Sequence, residues 1–433
     1  MSFTRTLRAV GGAVVAGALL FGTAPVASAD QTRKDQWPLT VFGVDDIWKV
    51  STGKGVTVAV IDDPVDGSHP DLKGNVLPGK SFLDGGTADR PDGKYEHGTA
   101  MASLIAGHGH GPGGGDGVKG LAPDAKILPV GIDLGKAATT SYAKPLRYAV
   151  DHGAKVVNMS FEDYSDTSPA EQEAVDYARK HDVLVVASSG NTGSSIPRLP
   201  SAVPGVLAVG AMDIDLKVWK YSSYGPHIKL LAPGVHIRSA GVETPYRLAN
   251  GTSDSAAYVS AAAALLRSKF PDLTAGQIAN RLAKTAILPD SMKGKKLPDR
   301  HYGYGIVNPW QALIKKMPKG SENGPLPALK DGSSNASSKD AQQAAESEKG
   351  MSTGVIIGIV GGVVGLLVVV LIVVLVVKKK NGRNGPPPGG PGGYGGPGGP
   401  SGFVPHPPHP GHQQQPSAPG AYPSAPPTQP PGR

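Results

Sequence analysis

The chain of 433 residues contains no cysteine, which excludes a disulfide framework. Its length leaves room for a full hydrophobic core, so a domain of this size does not need such crosslinks to fold. The central part also has little net charge. The whole chain carries +8, but arginines near the start contribute +2 and basic residues beyond position 377 contribute +5, which leaves +1 for residues 30–353. We therefore expect no nucleic-acid partner.

Residues 1–29 have the pattern of a secretory signal peptide. Two arginines precede an apolar run at 9–21, and the small residues at 27–29 then form a cleavage site. Because such a signal directs export, we expect the mature protein to begin near Asp30 and to work outside the cytoplasm.

Residues 354–377 contain no charged side chain over 24 positions. As a helix this segment is about 36 Å long, enough to cross a hydrocarbon core of about 30 Å. Lysines at 378–380 follow directly, and positive charge favours the cytoplasmic side of a membrane. The sequence therefore predicts a single-pass cell-membrane protein with its globular part extracellular and its C-terminal tail, 378–433, cytoplasmic.

Two further segments are unsuited to a packed core. Residues 385–433 contain 17 prolines and 13 glycines and no acidic residue, a composition typical of disorder. Residues 316–353 are rich in Ser, Asn, Ala and charge, and we interpret them as a flexible stalk. The predicted folded domain is thus 30–315.

The folded domain alternates short hydrophobic runs with longer stretches of helical character. The runs lack polar alternation, as expected of parallel strands that are covered on both faces. This order predicts an α/β fold, a doubly wound and mostly parallel sheet with helices on both faces, whose ligand crevice lies at the carboxyl ends of the strands. The predicted strands are 56–61, 127–130, 156–159, 183–187 and 206–209, and the predicted helices lie near 97–107, 141–152, 169–180, 254–269 and 275–286.

Four polar residues fall at junctions where this fold places function. Asp62 follows a buried strand, His97 opens a helix rich in small residues, Asn191 follows another strand, and Ser253 begins a long Ala-rich helix. Taken singly, each is an ordinary turn or cap residue. Together they form a different pattern, because a nucleophilic hydroxyl needs a base to take its proton and that base needs an anion to hold its tautomer.

These residues lie in motifs that resemble those of the subtilisin-like serine proteases, the subtilase family, over about residues 38–315. The motifs are AVIDDPVDGSHPDL around Asp62, HGTAMASLIAG from His97, ASSGN ending at Asn191, and NGTSDSAA around Ser253. The resemblance implies a subtilisin-like fold and a serine endopeptidase. It further implies that Asp62, His97 and Ser253 are catalytic and that Asn191 stabilises the oxyanion.

The same resemblance implies a substrate cleft between two short segments of the chain. Glu162 stands where relatives have a glycine that lines the cleft, and a carboxylate pointing inward would favour basic substrate side chains. Close to the nucleophile, Asp254 replaces the usual methionine. The cleft residues implied are Ser160, Phe161, Glu162, Ser188, Ser189 and Gly190.

The overall architecture is similar to that of the mycosins, membrane-anchored proteases of actinobacterial type VII secretion, although the absence of cysteine departs from that group. This similarity implies protein or peptide substrates and an association with secretion-system components. It implies no cofactor for catalysis. Calcium sites are frequent in the subtilase family, but the sequence assigns no ligands, and we predict no catalytic metal.

Two other functions compete with a protease. The substitutions around Ser253 suggest a scaffold or binding component of a membrane secretion complex, in which catalysis is secondary. An esterase with a similar triad fits poorly, since an α/β-hydrolase places its serine in a Gly-x-Ser-x-Gly elbow before the aspartate and histidine.

Overall fold

The computed structural model describes residues 31–329, except Lys94, 136–140 and 164–166. The predicted signal peptide, most of the predicted stalk, the predicted span and the tail lie outside the described residues. Within the described part, no helix combines the length and the apolar character needed to cross a membrane.

The described elements alternate between strands and helices along most of the chain. The helices are α1 Trp37–Phe42, α2 Val44–Val50, α3 His97–Ala106, α4 Ala143–Asp151, α5 Pro169–Lys180, α6 Thr252–Lys269, α7 Ala275–Lys284 and α8 Pro309–Ile314. The strands are β1 Thr57–Asp62, β2 Lys80–Ser81, β3 His108–His110, β4 Asp116–Lys119, β5 Lys126–Gly131, β6 Val156–Met159, β7 Leu184–Ser188, β8 Leu207–Met212, β9 Ile228–Pro233, β10 Ile237–Ala240 and β11 Tyr246–Ala249.

Seven strands form one parallel sheet in the order β2-β5-β1-β6-β7-β8-β9. From β1 the chain builds one side of the sheet through β2 and β5, and it then returns to the other side of β1 with β6. The strand order therefore reverses between β1 and β6. In sheets of this kind the crevice at the carboxyl ends of the strands on either side of the reversal is the usual ligand site.

Two hydrophobic cores cover the two faces of the sheet. One lies between the sheet and α3 and α6, and it includes Val58 and Val60 of β1. The other lies between the sheet and α4 and α5, and it includes Ala59 and Ile61 of the same strand. Alternate residues of β1 thus enter opposite cores, which explains why the strand is hydrophobic without interruption.

The long helix α6 is buried along almost its whole length. Its alanines, at positions 256, 257 and 261–264, keep its surface narrow, so that it packs closely against β6, β7, β8 and β9. Helix α5 begins with a capping box between Ser168 and Glu171, and α7 begins with one between Thr274 and Gln277.

The predicted strands and helices correspond to elements of the structure, with small shifts at their ends. The sequence prediction missed two strands of the main sheet. The edge strand β2 has only two residues, and β9 carries a lysine, Lys229, within its apolar run. The predicted doubly wound α/β fold is confirmed for the described residues.

Candidate active site

Asp62 ends β1 at the reversal of strand order, and its side chain is fully buried. One carboxylate oxygen, Oδ1, accepts a hydrogen bond from the Asp63 N–H at 2.9 Å and lies 2.8 Å from Nδ1 of His97. Because a carboxylate only accepts, Nδ1 carries the proton in this contact. The other imidazole nitrogen, Nε2, is thereby left to accept a proton from a nucleophile.

His97 is the first residue of α3, and the neighbouring Asp63 holds the start of that helix. The Asp63 carboxylate accepts hydrogen bonds from the backbone N–H groups of Gly98 at 2.5 Å and His97 at 3.3 Å. A side chain on Gly98 would collide with the Asp63 carbonyl, so glycine is needed for this approach. Asp63 therefore fixes the helix that carries the imidazole, a role the sequence analysis missed.

Burial and acidic neighbours together shift the pKa values of His97 and Asp63. Burial alone would lower the pKa of His97, but the charge and hydrogen bond of Asp62, together with the charge of Asp63, outweigh it and raise the pKa to about 9. Burial, and then the charge of Asp62, raises the pKa of Asp63 to about 7. The imidazole is thus a stronger base than a free histidine.

Ser253 is the second residue of α6 and is 8% exposed. Its hydroxyl donates to the Ser160 carbonyl at 3.1 Å, and the Ser160 hydroxyl donates back to the Ser253 carbonyl at 3.0 Å. This reciprocal pair joins the end of β6 to the start of α6. In this conformation the Ser253 hydroxyl is engaged with Ser160 rather than with His97.

Asn191 lies beyond the end of β7 and is exposed. Its side-chain oxygen accepts from both the backbone N–H and the hydroxyl of Thr252, at 2.9 and 3.0 Å. A backbone N–H can only donate, so this contact fixes which end of the amide is oxygen. The NH2 group, Nδ2, is therefore left for another acceptor. The Thr252 hydroxyl also accepts from the Gly190 N–H at 3.1 Å, which ties the segment after β7 to α6.

Two short segments at the ends of β6 and β7, residues 160–162 and 188–190, lie side by side, and we call them the strand extensions. The Ser188 hydroxyl donates to the Phe161 carbonyl at 3.4 Å, and Glu162 accepts from the Asn191 N–H at 2.8 Å. The Phe161 ring lies in the core against Tyr142, with ring centroids 6.1 Å apart, so it contributes no side chain to a cleft.

The other predicted cleft residues have different surroundings. Ser160 uses its side chain on Ser253, as described above. Ser189 is fully buried, and its hydroxyl has no partner among the described residues. Gly190 has φ +107°, a conformation that favours glycine. Of the six predicted cleft residues, Glu162 thus brings the only charged side chain to this region.

Known proteins are similar to this chain in sequence and in fold. The model of the subtilase family matches residues 53–305, more than half of the chain. The chain belongs to the subtilase family. Subtilisin BL of Lederbergia lenta is 38% identical over 260 residues, which cover 59% of this chain and 90% of that protein. Fervidolysin of Fervidobacterium pennivorans is 33% identical over 67% of this chain, but the match covers 45% of that protein.

A probable subtilase-type serine protease of Deinococcus radiodurans is 35% identical over 59% of this chain, and the match covers 40% of it. The subtilase thus spans less than half the length of two of these relatives. Among solved structures, MycP1 from Mycobacterium smegmatis is 30% identical, with a TM-score of 0.58 over 68% of this chain and 88% of that one. The MycP3 protease from the type VII (ESX-3) secretion system is also 30% identical, with a TM-score of 0.55 over 68% of this chain and 90% of that one.

A further carboxylate of this subtilase adjoins the nucleophile. Asp254 is buried, and its Oδ1 has no partner among the described residues. Burial raises the pKa of Asp254 to about 6, although the nearby charges of Arg247 and His97 act in the opposite direction. The start of α6 favours a negative charge at this position through its dipole.

The subtilase's described residues contain no group of three or more His, Cys, Asp or Glu side chains arranged to hold a metal ion. A cluster of inward-facing carbonyl oxygens does occur near the β3–β4 hairpin. There the Arg33 guanidinium donates to the carbonyls of Gly117 at 3.0 Å and of Gly114 and Asp116 at 3.3 Å. These three oxygens therefore already accept hydrogen bonds from a cationic side chain of the protein itself.

Proposed function

We propose that this subtilase is a serine endopeptidase that hydrolyses peptide bonds of protein substrates through an acyl-enzyme. The observation that carries the proposal is the 2.8 Å contact that keeps a proton on Nδ1 of His97, so that Nε2 is the atom that acts as the base once the ring is neutral. Its support is the orientation of Asn191, whose free NH2 group lies at the start of the helix that bears Ser253. These groups come from the ends of β1 and β7 and the starts of α3 and α6.

Catalysis begins with rotation of the Ser253 side chain away from the Ser160 carbonyl towards His97. Nε2 of His97 takes the hydroxyl proton as Oγ attacks the substrate carbonyl, and the Asp62 carboxylate holds the resulting imidazolium. The tetrahedral oxyanion accepts from Nδ2 of Asn191 and from the Ser253 N–H. His97 then protonates the departing amine, and water releases the acyl group by the reverse sequence.

Labelling by a fluorophosphonate probe tests this mechanism on the purified full-length chain. We expect the chain to be labelled and to cleave an unstructured protein such as casein, and we expect Ser253→Ala to lose both reactions. Asn191→Ala should lower kcat by about 100- to 1,000-fold, a magnitude taken from subtilisin itself. Circular dichroism of each variant checks its folding. Full activity in folded Ser253→Ala would refute the assignment.

We further propose that the enzyme acts at the cell membrane in type VII protein secretion. The MycP1 and MycP3 structures, which come from such secretion systems, support the role, and the uncharged segment 354–377 supports the anchor. Alkaline carbonate extraction should leave the full-length chain in the membrane pellet and release a chain without 354–377. Release of both would refute the anchor.

The alternative hypothesis is that the protein is a scaffold or binding component of a secretion complex. One observation favours it, the hydrogen bond from the Ser253 hydroxyl to the Ser160 carbonyl. If that state persists in solution, the nucleophile is not activated and the probe does not react. Labelling at a rate comparable to that of a secreted subtilisin excludes the scaffold reading.

A further inference from the structure

Glu162 crosses the space between the two strand extensions. It belongs to the segment after β6, and one of its oxygens, Oε1, accepts from the Asn191 N–H in the segment after β7, at 2.8 Å. Its other oxygen, Oε2, is shielded from solvent and has no hydrogen-bond partner among the described residues. A Cβ atom on Gly190 would lie 2.8 Å from Oε2, so the glycine leaves room for the carboxylate.

The Glu162 carboxylate has no ion-pair partner in the part of the chain that the structure describes. Among the described residues, no lysine, arginine or histidine forms an ion pair with it. A shielded carboxylate oxygen without a donor raises the free energy of the unbound protein, and a cationic donor that reaches it lowers that free energy. The residue as a whole is only partly buried, so a turn of the carboxylate that uncovers Oε2 would bring it within reach of a donor from solvent.

The mechanism determines which part of a substrate comes close to Glu162. The attacked carbonyl is held by Nδ2 of Asn191, and the backbone N–H of the same residue is bonded to Glu162. The substrate residue that supplies this carbonyl has its Cα one bond away. Because the attacked carbonyl and the Glu162 carboxylate share Asn191 as their partner, a long side chain on that substrate residue can reach Glu162.

We propose that Glu162 selects substrates with arginine or lysine on the acyl side of the cleaved bond. This inference rests on the proposed endopeptidase function and adds a specificity to it. Glu162 is a binding residue here, with Oε2 as the acceptor for the substrate cation.

The first experiment measures binding without catalysis. The full-length Ser253→Ala variant is titrated with p-aminobenzamidine, a fluorescent arginine mimic, and compared with Ser253→Ala/Glu162→Gln. Glutamine keeps the size of the side chain and an acceptor for the Asn191 N–H. We expect the added substitution to weaken binding by about 10- to 100-fold, the range for hydrogen bonds between charged groups. Glu173→Gln on α5, whose side chain is 71% exposed, is the matched control and should change nothing.

The second experiment measures selectivity in the active full-length enzyme. Two peptides differ only in carrying arginine or its neutral isostere citrulline before the cleaved bond. The wild type should favour arginine in kcat/KM by about 10- to 100-fold, and Glu162→Gln should bring this ratio close to one. Unaltered affinity in the first experiment or an unaltered ratio in the second overturns the proposal. So does a Glu162→Gly variant that cleaves all peptides faster, because the carboxylate would then only obstruct the cleft.

The two experiments separate this inference from the proposed function. The binding measurement uses a chain without the nucleophile, so it gives an answer even if the wild type hydrolyses nothing. Failure of fluorophosphonate labelling, together with p-aminobenzamidine binding that depends on Glu162, would reject the endopeptidase and keep Glu162 as a cation-binding residue. Labelling without p-aminobenzamidine binding that depends on Glu162 would keep the endopeptidase and reject the role of Glu162.

Discussion

The orientation of Asn191 by Thr252 yields a prediction whose magnitude follows from the contacts. Thr252→Val replaces a fully buried hydroxyl by a methyl group of similar size. The substitution removes the 3.0 Å hydrogen bond to Oδ1 of Asn191 and leaves the Gly190 N–H without its acceptor. The backbone N–H of Thr252 still holds the amide at 2.9 Å. We therefore expect the Asn191 side chain to become more mobile but to keep one of its two hydrogen bonds.

Two limits bracket the loss of activity. A neutral hydrogen bond contributes about 0.5–1.5 kcal/mol, and an orphaned buried donor costs about 1–3 kcal/mol. Complete loss of the oxyanion amide costs about 2.7–4 kcal/mol. Thr252→Val should thus raise the activation free energy by about 1–2.5 kcal/mol, which lowers kcat by about 5- to 70-fold. KM should change little, since the contact acts on the transition state.

A double-mutant cycle with Asn191→Ala is the assay, read as kcat on a peptide substrate. Once the amide is gone, Thr252→Val has nothing left to orient, so the double variant should be about as slow as Asn191→Ala alone. Additive losses would refute the reasoning. Ser255→Ala on the same helix is the matched control, because its buried hydroxyl bonds to the carbonyls of residues 232 and 233 and not to the site. It should lower the free energy of unfolding and leave kcat unchanged.

The remaining predictions concern charge. Because the pKa of His97 is raised to about 9, kcat/KM should rise as the pH increases through about 9. Asp63→Asn removes a charge that raises this pKa, so it should move the midpoint of the kcat/KM profile to lower pH. An unmoved midpoint would contradict the effect of Asp63 on His97. Since the folded pKa lies above the ordinary 6.5, the stabilisation from His97 is complete below pH 6.5 and is lost as the pH rises through 9, which urea denaturation at several pH values detects. Asp63→Ala should lower the free energy of unfolding by about 1–2 kcal/mol through loss of the α3 cap, with partial recovery in Asp63→Asn, and equal stability of all three proteins would argue against the cap. Arg33→Met should lower the free energy of unfolding by about 1–3 kcal/mol, because three carbonyls lose their donor. Lys155→Met at an exposed position is the control. Similar urea midpoints for the two variants would contradict a stabilising role of Arg33.

The sequence was sufficient for those parts of the site that depend on strand order. Asp62 was predictable because uninterrupted apolar runs mark buried parallel strands, and a polar residue directly after such a run lies at the crevice. Its contact with His97 followed from the motif that places the histidine at a helix start. Both predictions concern backbone placement, which short-range patterns determine well.

Side-chain partners across the fold were beyond the sequence. Asp63 was recognisable only as a departure from a family pattern, since the helix it caps begins 34 residues later in the chain. In the sequence, nothing distinguishes Thr252 from any other residue before a serine. Its hydrogen bonds to Asn191 depend on how the start of α6 packs against the segment after β7. Phe161 is adjacent to cleft residues in sequence, yet it alternates to the core face. Each of these outcomes was determined by tertiary packing.

The replacement of methionine by Asp254 beside the nucleophile has a chemical consequence. With no cysteine in the chain, the side chains described in the site, those of Asp62, His97, Asn191, Thr252, Ser253 and Asp254, are hydroxyls, an amide, carboxylates and one imidazole, and none of these six carries sulfur. Thiols and thioethers are the side chains that peroxides attack first. An oxidant that reaches these side chains finds no sulfur to convert, so hydrogen peroxide should inactivate the enzyme by damage to other residues, such as its methionines.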